Sequence, residues 1–189
     1  MNTQNPPQPP FVKEGSCASN SPYPSCVKGG NCASNSPQPP FVKEGSRVKR
    51  PESVLVVIYT LADEVLALRR CQPPDFWQSV TGSLRWEETD PLETARRELR
   101  EETGLGDGLE IVACNQINRF PILPPWRHRY APDVIENIES VFRVCLPERC
   151  PVDLNPAEHS EYLWLPRSVA ADRMTSWTNR DAILTLPSM

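Results

Sequence analysis

From Ser53 to Tyr59 the chain reads Ser-Val-Leu-Val-Val-Ile-Tyr, with no charged residue. An apolar, β-branched run of this length predicts a strand buried on both faces. Leu61-Ala-Asp-Glu64 reads as a turn, and Val65-Leu-Ala-Leu-Arg69 as the returning strand. The prolines of Cys71-Gln-Pro-Pro-Asp75 predict a loop, followed by a short strand over 78–82. Further strands are expected over 109–119, 137–146 and 161–165. Asp90-Pro-Leu-Glu93 carries a helix-start signature: an Asp cap, Pro in the first turn and Glu three residues after the cap. The helix it opens should run over 91–103 and stop at Gly104. A last helix is expected over 179–186. Trp77 and Trp164 read as core residues. Strands around one strong central helix predict a layered α/β or α+β domain spanning 48–189.

The pattern is different before residue 47. The segment 7–21, PQPPFVKEGSCASNS, is followed by PYPSCVKGGNCASNS and then by PQPPFVKEGS. Residues 1–46 hold nine of the 22 prolines and none of the five tryptophans. Each copy carries too few large apolar side chains to offset the entropy of ordering, so 1–46 is expected to be a disordered repeat tail. Its Cys17, Cys26 and Cys32 match no zinc-ligand spacing.

Composition narrows the function classes. The formal net charge is −4, which argues against nonspecific nucleic-acid binding as the main task. No window approaches the ~18 apolar residues that a membrane span requires. The start, MNTQNPPQPP, shows no basic and apolar signal regions, so a cytoplasmic location is expected. Cys71, Cys114, Cys145 and Cys150 then read as reduced thiols.

One segment carries chemistry. In Arg97-Glu98-Leu99-Arg100-Glu101-Glu102-Thr103-Gly104-Leu105, helical spacing sets Glu98, Glu101 and Glu102 on or beside one face. Like charges so placed weaken a helix by some tenths of a kcal/mol per pair. A hard divalent cation reverses that sign, since it takes carboxylate and phosphate oxygens. The structural alternative is a solvated face paired with Arg96, Arg97 and Arg100.

With the upstream Gly82-Ser-Leu-Arg-Trp-Glu-Glu88, this segment resembles the Nudix box, Gly-x5-Glu-x7-Arg-Glu-U-x-Glu-Glu-x-Gly-U, where U is aliphatic. Gly82, Glu88, Arg97, Glu98, Leu99, Glu101, Glu102, Gly104 and Leu105 fit it. Eight residues rather than seven separate Glu88 from Arg97. The extra one falls most naturally at Thr89-Asp90, where the loop is expected to bulge and absorb it. The resemblance implies an α/β/α sandwich around a mixed sheet and a pyrophosphohydrolase activity. Four flanking stretches, 49–59, 75–83, 127–132 and 176–180, resemble the bacterial branch of the family that acts on dihydroneopterin triphosphate in folate biosynthesis. That implies release of the monophosphate and pyrophosphate. The alternatives are a family member acting on dATP or another nucleoside polyphosphate, and an inactive, ligand-binding domain.

The same resemblance implies site roles. Glu98, Glu102 and Glu158 would hold Mg²⁺, with Mn²⁺ as an alternative. Glu101 is the third helix carboxylate, and Arg97 orients a glutamate. One of Glu98, Glu102 or Glu158 would act as base. Lys49 and Arg69 would bind phosphates, and Thr81 would offer its hydroxyl or backbone. Phe120, Pro121, Ile122 and Leu123 would line the ring pocket, with Ser176 closing the far side. Arg127, His128 and Arg129 form a basic cluster able to steer a polyanion. The expected partner is a small-molecule triphosphate, with no nucleic acid and no membrane. The sequence assigns no oligomeric state.

Overall fold

The computed structural model describes residues 48–188, so the tail expected over 1–46 lies outside the described residues. The chain folds as β1 (Glu52–Thr60), β2 (Glu64–Arg70), β3 (Trp77–Gln78), β4 (Val80–Ser83), α1 (Pro91–Thr103), β5 (Val112–Pro121), α2 (Pro124–Arg127), β6 (Glu136–Leu146), β7 (His159–Pro166), α3 (Arg167–Arg173) and α4 (Trp177–Leu184). The strands form one mixed sheet whose main path is β3-β2-β1-β6-β5; β4 also pairs with β1, and β7 with β2. Only the β1–β6 pairing is parallel among those described.

β1 explains the layering. Residues 54–60 are all buried, and successive side chains of a strand point to opposite faces. Val54, Val56 and Ile58 pack with Leu66, Val80, Ala95, Leu99 and Val144 on the α1 side. Leu55, Val57 and Tyr59 pack with Val141, Ala170, Ala171, Ala182 and Ile183 on the α3–α4 side. The continuous apolar run is thus the midline of an α/β/α sandwich. Trp77 belongs to the second cluster and Trp164 packs against the first.

α1 starts and stops where its sequence predicts. The Asp90 side chain accepts from the Leu92 amide at 2.9 Å. Gly104 takes a left-handed φ of 70° and donates its amide to the Arg100 carbonyl, a conformation that disfavours residues with a Cβ.

Other boundaries moved. The strand expected from 109 begins at Val112 and runs on to Pro121, at a sheet edge where a proline's missing donor is tolerated. The last helix starts at Trp177 because Ser176, rather than a later residue, caps it by accepting from the Thr178 amide. The short α2 and α3 carry no side-chain cap, so the usual start signal was absent.

Leu99 is fully buried between α1 and the sheet. Leu99→Ala should cost about 2–5 kcal/mol through the cavity it leaves. Urea denaturation followed by circular dichroism reads this directly; a loss below about 1 kcal/mol would mean that α1 is not held by this contact.

Candidate active site

α1 buries Thr94, Ala95, Glu98, Leu99, Glu102 and Thr103. Two carboxylates thus share the face that docks on the sheet. Glu98 is 8 % exposed and Glu102 is fully buried. Gly82 on β4 makes room for the first: a Cβ there would lie 1.8 Å from Glu98 Cδ. A glycine at this position is therefore a steric requirement for the carboxylate.

Arg97 binds the surrounding acids together. Its Nε donates to Glu88 Oε1 at 2.7 Å and its Nη2 to Glu88 Oε2 at 3.1 Å. Its Nη1 donates to Glu98 Oε1 at 2.7 Å and to Glu101 Oε2 at 3.0 Å. Nη2 also reaches the Ser83 carbonyl at 3.1 Å. A guanidinium suits this, because its donors lie in a fixed planar fork. Glu88 further accepts from the Arg85 amide and the Thr94 hydroxyl. The Arg97 hydrogen bonds lead in holding Glu88 down to about 2. The additional residue in the loop therefore does not keep Glu88 from Arg97.

Glu98 behaves oppositely. Burial pushes it up to about 7, against the downward pull of Arg97 and with a further upward push from Glu102 and Glu101. Burial also raises Glu102, opposed by a hydrogen bond to His159. His159 Nε2 lies 3.0 Å from Glu102 Oε2, both side chains being fully buried. Glu102 Oε1 has no partner among the described residues. Ligand atoms of Glu102, Glu158 and His159 all fall within 4.8 Å of one another. A buried carboxylate oxygen left open beside a second carboxylate fits a hard divalent cation.

The remaining candidates are distributed as follows. Lys49 Nζ donates to Ser83 Oγ at 3.3 Å. Burial first, and Arg129 second, lower its pKa, with Glu98 and Glu158 acting the other way. Lys49, Ser83, Arg97 and Glu98 share the lining of a cleft of about 390 Å³. Thr81 accepts from Gln78 at 2.9 Å, and its backbone is a minor influence lowering the Glu102 pKa against burial. Arg69 is engaged by Asp75 at 2.5 Å and Glu161 at 3.2 Å. Its neighbour Arg70, past a register shift in the β2–β7 pairing, instead lines a pocket of about 170 Å³ with Phe76, Gln78, Trp126 and Arg129. Phe120 and Pro121 end β5 opposite Asn137 and Glu136. Ile122 is buried, whereas Leu123 is 58 % exposed at the start of α2. Ser176 caps α4 and shares a 2.8 Å hydrogen bond with Thr178.

Two groups carry little signal in the sequence. His159 directly follows Glu158, and that adjacency was its only signal. Arg70 was masked by tandem arginines whose directions only the strand register separates.

The NUDIX domain model matches residues 49–186. The chain is 44 % identical over 139 residues to the dihydroneopterin triphosphate diphosphatase of Escherichia coli K12, covering 71 % of this chain and 91 % of that one. It is 39 % identical over 139 residues to the Haemophilus influenzae protein of the same name, covering 71 % and 86 %. The solved E. coli dihydroneopterin triphosphate pyrophosphohydrolase superposes with a TM-score of 0.67 at 44 % identity, over 72 % of this chain and 94 % of that one. A domain match across most of the chain, on a sheet and helix that present the box glutamates as described, places this protein in the Nudix family.

Proposed function

We propose that this protein is a divalent-metal-dependent pyrophosphohydrolase that converts dihydroneopterin triphosphate to dihydroneopterin monophosphate and pyrophosphate. The observation that carries the reading is the 44 % identity across 91 % of the E. coli diphosphatase. The cluster under α1 supplies the chemistry such a reaction needs.

Glu98, Glu102 and Glu158 are the residues that would hold the cation, Mg²⁺ by their all-oxygen character and Mn²⁺ as a substitute. When bound, the ion supplies charge neutralisation at the phosphate oxygens. His159 is a positioning residue: it fixes one oxygen of Glu102 and leaves the other open. Arg97 likewise positions Glu98 and Glu101 rather than touching substrate. Lys49 stands at the cleft as a compact charge for phosphate, with Arg129 beside it. Arg69 is occupied by two carboxylates, so the second phosphate contact falls to Arg70.

In the reaction a water oxygen bonds to phosphorus, the bond to the bridging oxygen breaks, and pyrophosphate leaves. Accepting the water's proton falls to one of Glu98, Glu102 and Glu158. Basic side chains near the leaving group compensate its charge and favour α–β cleavage. Among the described residues no helix is long and apolar enough to cross a membrane.

Hydrolysis in ¹⁸O-labelled water tests the reading. The expected products are pyrophosphate and the monophosphate, with label on phosphorus. Orthophosphate as first product, with a diphosphate ester remaining, refutes it.

Glu102→Gln removes a charge with little change in shape and should lower kcat at least about tenfold. Turnover at the wild-type level with Mg²⁺ held fixed would remove Glu102 from the site.

Gly82→Ala tests the steric requirement. Its methyl group would meet the flexible end of Glu98 rather than backbone, so the fold should persist while the carboxylate is displaced. We expect at least about a tenfold loss of kcat with a melting temperature close to wild type. Retained kcat would show that the observed Glu98 position is dispensable.

A further inference from the structure

On the sheet face away from α1, a polar patch interrupts the apolar cluster. Parallel register pairs Ser53 with Glu139 and Leu55 with Val141, so Glu139 shares the face of Leu55 and Val141. Antiparallel register adds Asn118 opposite Glu139, Phe120 opposite Asn137, Ser83 opposite Ser53 and Thr81 opposite Leu55. Glu139 is 4 % exposed, Asn118 6 % and Asn137 3 %. The ring-pocket candidate Phe120 and the substrate-contact candidate Thr81 lie on this same face.

Glu139 is a buried acid held by neutral groups. Asn118 Nδ2 donates to its Oε1 at 3.0 Å; burial raises its pKa, with Asn118 and the nearby Thr178 side chain acting the other way. Thr178 in turn joins Ser176 at 2.8 Å, which links the N-terminus of α4 to the carboxylate. An ionised carboxylate offers about four acceptor positions, so the Asn118 bond leaves most of them open. Two residues before it, Asn137 donates to Ser53 Oγ at 2.7 Å, while its own Oδ1 is buried and unpartnered among the described residues. A buried acceptor without a partner, as Asn137 Oδ1 is, is costly unless a donor arrives, and Glu139 beside it has acceptor capacity to spare.

We infer that Glu139 reads the 2-amino-4-oxopyrimidine edge of the substrate ring, its two carboxylate oxygens accepting the ring N–H and the exocyclic N–H. The inference rests on the pterin triphosphate reading above. That edge sets two donors side by side, which a carboxylate matches bidentately. Adenine sets a donor beside an acceptor, which it does not match. The spacing is suitable. Ser83, Ser53 and Glu139 occupy adjacent strands, and neighbouring strands lie ~4.8 Å apart, so Glu139 is about 10 Å across the sheet from Ser83. Ser83 is where Lys49 bonds. The bicyclic ring, together with the three-carbon side chain between it and the first phosphate, covers that distance. Phe120 supplies a flat apolar wall beside Asn137.

The test measures kcat/KM of the full chain with Mg²⁺ on dihydroneopterin triphosphate, dGTP, dITP and dATP. For the wild type, deleting only the exocyclic amine, dGTP to dITP, should cost about tenfold or more, as expected for a hydrogen bond to a charged group. Glu139→Gln keeps the size of the side chain and exchanges one acceptor for a donor. It should erase the dGTP–dITP difference and lower the pterin-to-adenine ratio at least about thirtyfold. Equal turnover of dGTP and dITP by the wild type overturns the assignment without recourse to any variant. A parallel loss on every substrate in Glu139→Gln, with ratios unchanged, overturns it as well. A wild type inert towards dihydroneopterin triphosphate refutes the functional reading instead, and the purine pair then decides the role of Glu139.

Discussion

The structure turns on the burial of two carboxylates between α1 and the sheet, which raises the pKa of both. Glu98 and Glu102 occupy the docking face of a helix whose other buried members are Thr94, Ala95, Leu99 and Thr103. Apolar packing pulls that face inward, and desolvation of the acids opposes it. Three devices hold the balance. Arg97 offsets the charge of Glu98 from one side. His159 satisfies one oxygen of Glu102 from the other. The missing side chain at Gly82 gives Glu98 a place to lie. What stays unmet, chiefly Glu102 Oε1, is the demand that a cation would satisfy. Stability is sacrificed at the point where the chemistry requires an incomplete set of partners.

The sandwich separates two tasks. On the α1 side, carboxylates gather, which suits the charge neutralisation that the proposed reaction needs. On the α3–α4 side, neutral amides and hydroxyls surround one acid, which suits reading a ring edge. β4, β1 and β6 connect them: Ser83, Ser53 and Glu139 are cross-strand neighbours, while Gly82, one residue from Ser83, faces Glu98. The alternation of a strand lets adjacent residues serve opposite faces. A substrate lying over the end of these strands meets both tasks at fixed separation, because the hydrogen-bonded ladder sets that distance and no loop does.

Local signals were legible and nonlocal ones were not. The Asp-Pro start and Gly104 stop bounded α1 because caps are properties of a few adjacent residues. The run over 53–59 announced a central strand because burial on both faces removes all polar positions. That the glutamates of α1 share a face was readable from helical spacing alone, whereas Lys49 and Thr81 entered as candidates only through resemblance. By contrast, Arg69 and Arg70 are chemically identical in sequence, and the irregular register after Arg69 decides which of them faces the pocket. Glu139 sits in a strand among ordinary alternating residues. Only the pairing of β5, β1 and β6 and the packing of α4 reveal that it is buried without a cationic partner among the described residues. His159 required the juxtaposition of β7 with α1, nearly sixty positions apart in sequence.

The loop before α1 shows what the family spacing encodes. An extra residue between Glu88 and Arg97 departs from the box, yet Glu88 still accepts both arms of the Arg97 fork. Two anchors make this possible. Asp90 caps α1 through its own side chain, so the helix start does not depend on where the loop came from. Glu88 closes a turn of its own, its amide reaching the Arg85 carbonyl and its carboxylate the Arg85 amide. The extra length falls between these anchors, at residues that are exposed. Lengthening a loop by one residue changes its closure entropy by only a small fraction of the ~0.6 kcal/mol per doubling. The bidentate pair it preserves is charge-assisted and partly buried, and so outweighs that change. The box spacing is therefore one solution to a geometric requirement: a carboxylate must arrive beside the arginine that orients the next turn's acids. Any loop that delivers it serves.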